Sequence, residues 1–300
     1  MPARGDDWPC RNGAWAAQGA IARFAYAARM TATLASIHIY PIKSTAPLTL
    51  DNASVEARGL ARDRRWMVVD AYGKFITGRE EARLTLIHAQ PHGDALQLQA
   101  PGMPALQLDP PTADAQRIDT AVWGAAVAPR LAAEQAQAWI STFLGKPARL
   151  VHMDADCRRA LKAKYEGRYG TDADEVSLAD GFPLLLISQG ALDLLNSKLG
   201  QPVPMLRFRP NLVVAGTAAH AEDGWKRIRV GAIEFEVSKP CVRCVFTTVD
   251  FERGERDPSG EPLRTLITYR RSGDGVTFGQ NLIPRGTGVV RVGDVVEVLA

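Results

Sequence analysis

Residues 66–76 read WMVVDAYGKFI. The run 66–70 is short and apolar, Tyr72-Gly73 forms a turn, and Phe75 and Ile76 begin a return strand, so the stretch predicts a β-hairpin. Upstream, apolar positions alternate over 35–40 and stop at Pro41, predicting a strand that runs into the polar turn Lys43-Ser44. Downstream, further short strands are expected at 84–89, 96–99, 122–126, 211–215, 233–237 and 245–250. A final pair, 288–292 and 295–299, is joined at Gly293-Asp294. Many short strands separated by turns predict barrels rather than a parallel α/β sheet.

The period changes at 133–144, where Ala136, Trp139, Ile140 and Phe143 share one helical face and Gly145 stands at the capping position. A second helix is expected after Ser188 as N-cap, with Leu192, Leu195 and Leu199 facing inward and Gly200 as the stop. Leu263, Leu266, Ile267 and Arg270 imply a third, inserted near a rim. Between the first two, 154–174 is rich in charge and glycine, as expected of a mobile loop or lid. The predicted class is mainly β with some α (α+β), in two β-barrel-like subdomains at 31–150 and 151–300 with peripheral helices. Residues 1–30 are expected to be a poorly ordered extension, with Met30 as the true beginning, because Arg23 and Arg29 interrupt what a secretory signal would keep apolar.

A chain of 300 residues is long enough for two packed units. No apolar run is long enough to span a bilayer. Lysine and arginine exceed aspartate and glutamate only by 36 to 33, too small a surplus for a general nucleic-acid binder. Four cysteines, Cys10, Cys157, Cys241 and Cys244, give no disulfide framework, which points to a reducing compartment, expected to be the cytoplasm.

Cys241 and Cys244 stand three apart in SKPCVRCVFTTVD, residues 238–250. Structural zinc normally needs a second close pair of ligands, which this sequence lacks. A redox dithiol belongs at a helix start, whereas VFTTV favours strand. Both cysteines are equally readable as small buried hydrophobes. Arg243 between them favours thiolate, the species that ligates soft metals, and spacing alone does not say which sulfur would do so.

Three further segments place cations beside strand ends: YPIKS at 40–44, RGLARDRRW at 58–66 and RFRPN at 207–211. Guanidinium forks match phosphate oxygens, and a lysine-serine turn adds a point charge and a hydroxyl. Each segment alone is also readable as a solvated basic rim, and Asn211 as a turn residue.

Taken in order, IYPIKS, GLARDRRWMVVD, FITGRE, RFRPNLVV, CVRCVFTTVD and FGQN resemble the MOSC family, named for the C-terminal domain of molybdenum cofactor sulfurases. The likeness covers 33–300 and is greatest to the two-part members, the mitochondrial amidoxime-reducing component and its bacterial relatives. It implies that Cys244 ligates molybdenum, with Cys241 as a neighbour. It implies that Lys43, Ser44, Arg64, Arg209 and Asn211 hold the molybdenum cofactor, a molybdopterin, and that Asp180 in ADGFP acts near the metal, where a carboxyl could relay a proton. The implied activity is reduction of N-hydroxylated small molecules such as amidoximes or hydroxylamino nucleobases. Val242 departs from the family, standing where the mitochondrial relatives have a serine. The sequence shows no Gly-rich dinucleotide fingerprint and no cysteine cluster for iron–sulfur, so electrons are expected from a separate flavin, haem or iron–sulfur protein. The rival expectations are a carrier module that hands on sulfur from a cysteine persulfide, and a protein that stores the cofactor without turnover.

Overall fold

The computed structural model describes residues 31–273 and 275–300; the extension expected at 1–30 lies outside them. The largest sheet is built from β1 (Thr33–Ile39), β2 (Leu48–Leu50), β3 (Leu184–Ser188), β4 (Leu212–Ala215), β5 (Arg227–Val230), β6 (Ile233–Val242), β7 (Gly275–Pro284) and β8 (Val296–Val298). Their order across the sheet is β2-β1-β4-β3-β7-β6-β5-β8, and a ninth, two-residue strand, Arg271–Ser272, pairs with β7 off this path. Pairing is antiparallel throughout except between β3 and β4, which run parallel from Leu186↔Leu212 to Ser188↔Val214. A parallel pair needs a crossover, and the helix Gln189–Asn196 begins it.

The sheet does not lie flat. Val296 donates its N–H to Ala32 O and Leu34 donates to Asp294 O, both at 2.8 Å, bringing the far end back to β1 in a barrel-like ring. Inside it, Leu34, Ile37, Leu186, Leu212, Phe235 and Leu282 are fully buried. Each such side chain contributes about 1.5–3 kcal/mol relative to exposure. β3 is buried at every position, as its LLLIS sequence and its place between two neighbours require. The pairing also crosses the chain's midpoint, because β1 and β2 from the first fifty residues lie in a sheet otherwise made after residue 180.

A second core lies under the helix Glu134–Leu144, whose Trp139, Ile140 and Phe143 pack with Val68, Leu98 and Leu150. Its C-cap, Gly145, has φ 67°, the left-handed conformation predicted for it. Trp66–Asp70 is a strand, paired with Ala148–His152, and Val69 bridges back to Phe75 as the hairpin reading expects. The second helix has its expected cap, with Ser188 accepting from Ala191 N, but ends at Asn196 rather than Gly200. The third spans Leu263–Tyr269.

Three expected strands are different, and so is the expected final pair. Residues 122–126 straddle the turn of a hairpin between Thr120–Val122 and Ala125–Val127. Of the final pair, Gly288–Arg291 bonds to Asn52–Glu56 while β8 bonds to β5. Ala82–Leu86 is a 3-10 turn preceding the strand His88–His92. Val245–Thr248 is also a 3-10 turn, followed by a two-residue strand. The loop expected to be mobile is anchored at both ends, by Asp154 with Arg117 and Arg130 and by Asp174 with Arg285.

Candidate active site

At one end of the ring the turn after β1, the starts of β3 and β4 and the end of β6 open into a cleft. It is lined by all seven residues singled out from the sequence: Lys43, Ser44, Arg64, Asp180, Arg209, Asn211 and Cys244. Among the described residues, six that are not glycine have φ in the left-handed region, and four of them, Ser44, Arg64, Trp123 and Arg209, line this cleft. Strain of that kind survives where neighbours over-determine it, and it concentrates at functional sites.

The neighbours are identifiable. Lys43 N–H donates to Trp66 O and Arg64 N–H to Tyr40 O, each at 2.8 Å, which fixes both turns to the strands beside them. The Arg64 guanidinium donates to Asp63 at 2.6 Å, to Asn211 Oδ1 at 3.0 Å and to Arg209 O at 3.3 Å. Asn211 is buried, donates to His38 O at 3.1 Å and accepts from Leu185 N at 3.2 Å. It therefore pins the turn before β4 to β1 and β3, a positioning role that the sequence reading as a turn residue did not contain. Tyr40 lies beneath both guanidinium groups, with Arg64 at 4.3 Å and Arg209 at 3.9 Å from its ring centre. Burial pushes its phenol up to about 12, so the ring stays neutral under the two cations.

Six cationic residues line the cleft, Lys43, Arg64, Arg79, Arg207, Arg209 and Arg243, against one acid, Asp180. Burial pulls Arg209 down to about 10 but leaves it charged at neutral pH. One of its nitrogens donates to Thr45 O at 2.7 Å, and the other terminal nitrogen is buried without a partner. Arg243 donates to Phe208 O at 2.6 Å and to Cys241 Sγ at 2.9 Å, while its buried Nε also lacks a partner. Buried donors left unpaired are costly, and two on one cationic cleft fit an anionic group such as a phosphate or a pterin dithiolate.

Asp180 is held from three sides. It forms an ion pair with Lys43, accepts from Trp123 Nε1 at 3.0 Å and faces Arg79 at 3.4 Å. Desolvation pushes its carboxyl up, but Lys43 and the two other donors outweigh it and hold the group well below the usual carboxylate range. For Lys43 the balance goes the other way: burial pulls the ammonium down to about 8 although Asp180 opposes it. Buried Arg159 donates to Ser177 O at 2.6 Å and also to Ala179 O, fixing the segment that delivers Asp180. The sequence reading missed Arg159, Trp123 and Arg79; only the FITGRE motif signalled the last.

The two cysteines are separated by their surroundings. Cys241 accepts from Arg243 and packs against a hydrophobic cluster containing Leu185 and Phe208. Cys244 is half-buried and heads the 3-10 turn, its carbonyl accepting from Thr247 N at 3.1 Å and Thr247 Oγ1 at 3.0 Å. Cys157, Cys241 and Cys244 are free thiols, and no group of three or more His, Cys, Asp or Glu converges among the described residues. A metal here would rest on one thiolate and on ligands brought with it.

This fold and cleft are those of a two-part MOSC protein: residues 31–147 match the MOSC N-terminal beta barrel domain and 173–297 match the MOSC domain. The chain is 36% identical over 271 residues to "Mitochondrial amidoxime-reducing component 1" of Xenopus laevis, covering 85% of this chain and 79% of that one. It is 34% identical over 281 residues to the Homo sapiens protein of the same name, with 89% and 83% covered. The chain belongs to the family of the mitochondrial amidoxime-reducing components. No helix among the described residues is long and apolar enough to cross a membrane.

Proposed function

We propose that the protein is a molybdenum-cofactor-dependent reductase that removes oxygen from N-hydroxylated compounds, amidoximes among them. The observation that carries this reading is the cleft itself, which puts a half-buried thiol, unpaired arginine donors and a Lys43–Asp180 pair on one surface. Membership of a family whose named members reduce amidoximes supports the substrate class.

When bound, the cofactor supplies the two-electron couple, with Cys244 as its ligand from the protein. Arg64 and Arg209 would hold its anionic end, and Lys43 and Ser44 in the turn after β1 would add a charge and a hydroxyl to the same site. Lys43 and Asp180 serve the protons. Reduction of an amidoxime consumes two electrons and two protons, cleaves the N–O bond and yields an amidine and water. With Lys43 near 8, its ammonium can give one proton to the departing oxygen and be recharged from solvent, which also supplies the second, while Asp180, held ionised, orients the ammonium. Electrons come from a separate flavin, haem or iron–sulfur protein, and exposed Val242 and Val245 flanking Cys244 offer the surface for its approach. Free thiols suit a reducing compartment, and we place the protein in the cytoplasm.

The test is molybdenum analysis of the purified protein followed by turnover of benzamidoxime with reduced viologen. Molybdenum near one per chain with formation of benzamidine supports the reading. Full loading without product from any N-hydroxylated compound overturns it in favour of storage, and absence of molybdenum from active material would favour a persulfide carrier.

A further inference from the structure

The strands Thr120–Val122 and Ala125–Val127 form a hairpin whose two-residue loop is Trp123-Gly124. Both loop residues have positive φ, 52° and 84°. Turns of this kind select asparagine, aspartate or glycine at the first position, and a bulky residue there is an outlier. Local turn chemistry therefore disfavours tryptophan, and the reason for it lies in the contacts of the ring.

Two of those contacts, Arg79 and Asp180, line the cleft. The Arg79 guanidinium lies 4.2 Å from the ring centre, Phe75 meets it edge-on at 4.9 Å, and Nε1 donates to Asp180. Lys162 Nζ donates to Trp123 O at 2.6 Å and clamps the loop from behind. Even so, 37% of the residue remains exposed. A strained tryptophan, fixed on four sides and still presenting ring surface beside Asp180, is built to receive a flat group.

Resting on the proposed reductase reading, we infer that Trp123 with the Arg79 guanidinium forms a stacking wall that selects planar, conjugated N-hydroxylated substrates over small aliphatic ones. A ring stacked there lies next to Asp180, so that its oxidised nitrogen is presented beside the Lys43–Asp180 pair.

The experiment compares wild type, Trp123→Asn, which suits the turn but removes the ring, and Trp123→Phe, which keeps an aromatic face. Benzamidoxime and acetamidoxime are reduced with viologen, benzamidine binding is followed by calorimetry, and thermal unfolding is recorded. In W123N the ratio of kcat/KM for benzamidoxime over acetamidoxime should fall roughly five- to tenfold, the size of one aromatic contact. Benzamidine should bind weaker by a similar factor, W123F should keep both, and the Tm of W123N should stay within about 3 °C of wild type. A W123N enzyme with unchanged selectivity and unchanged benzamidine affinity overturns the inference. Should W123N fail to fold, Trp123→Leu takes its place, and wild-type selectivity in W123L overturns it equally. If wild type reduces no N-hydroxylated compound yet binds benzamidine through Trp123, the reductase reading falls and the stacking wall stands.

Discussion

Lys43 and Asp180 lie 137 positions apart in the chain and meet as an ion pair on the wall of the cleft. The lysine is almost fully buried while the aspartate is more than half exposed. A charge is thus placed under the surface and its partner at the mouth, so the ammonium is held facing the cleft by a carboxylate that stays ionised.

The sign of its pH dependence follows from burial. Lys43 titrates near its ordinary 10.5 when unfolded and near 8 in the fold, chiefly because burial penalises the charge. Between those values the unfolded chain binds the extra proton, so the contribution of Lys43 to native stability rises as pH climbs through that window. Urea denaturation of wild type and Lys43→Met at pH 7 and pH 10 measures it. The difference should move in favour of wild type at the higher pH; a flat difference means the ammonium is not depressed. Reduction should slow above about pH 8 as the proton source is lost.

Substituting Cys244 with alanine should abolish molybdenum retention and turnover, whereas Cys241→Ala, which removes a sulfur that accepts from Arg243, should retain the metal. Metal stoichiometry of the two variants decides the matter, and the reverse ranking would reassign the ligand.

The two arginines over Tyr40 should fail differently. Arg64→Ala strands buried Asp63 and should cost about 3 kcal/mol of stability as well as cofactor. Arg209→Ala removes an arginine with an unpaired nitrogen and should lower pterin content after dialysis more than it lowers the Tm. Equal pterin content in R209A and wild type would place this guanidinium outside the binding set.

A Cβ added to Gly78 would stand 2.3 Å from Cε2 of Phe246, another cleft-lining residue. Gly78→Ala should therefore cost about 1–3 kcal/mol and lower activity by moving that ring. Phe246→Leu in the same chain should restore part of the stability, and a double-mutant cycle with no coupling would refute the contact.

What could be read from residues alone was whatever depends on neighbours in sequence. Ser188 as cap, Gly145 as left-handed stop and the Tyr72-Gly73 turn are local decisions, and the fold keeps them. VFTTV misled because β-branched residues favour strand only when a partner strand is available. Here the hydroxyls of Thr247 and Thr248 turn back to the carbonyls of Cys244 and Val245 and close a 3-10 turn instead. In the cleft, residues inside motifs were legible through resemblance. Trp123 and Arg159 were not, because their significance lies in what they touch: Trp123 occupies a turn position suited to smaller residues, and Arg159 is one of two adjacent arginines in a loop.

The return of β1 to Asp294 sets translation order against assembly order. The first strand leaves the ribosome early and pairs at once with β2 along Ile37–Ile39, yet its neighbour on the other side, β4, lies some 180 residues downstream, and the bonds to Asp294 and Val296 come later still. Through most of synthesis one edge of this apolar strand has no permanent place to pair, the condition under which nascent chains aggregate or engage chaperones. A truncation just before Asp294 would remove the bonds of Asp294 and Val296, and the edge it exposed would lie at Ala32 and Leu34.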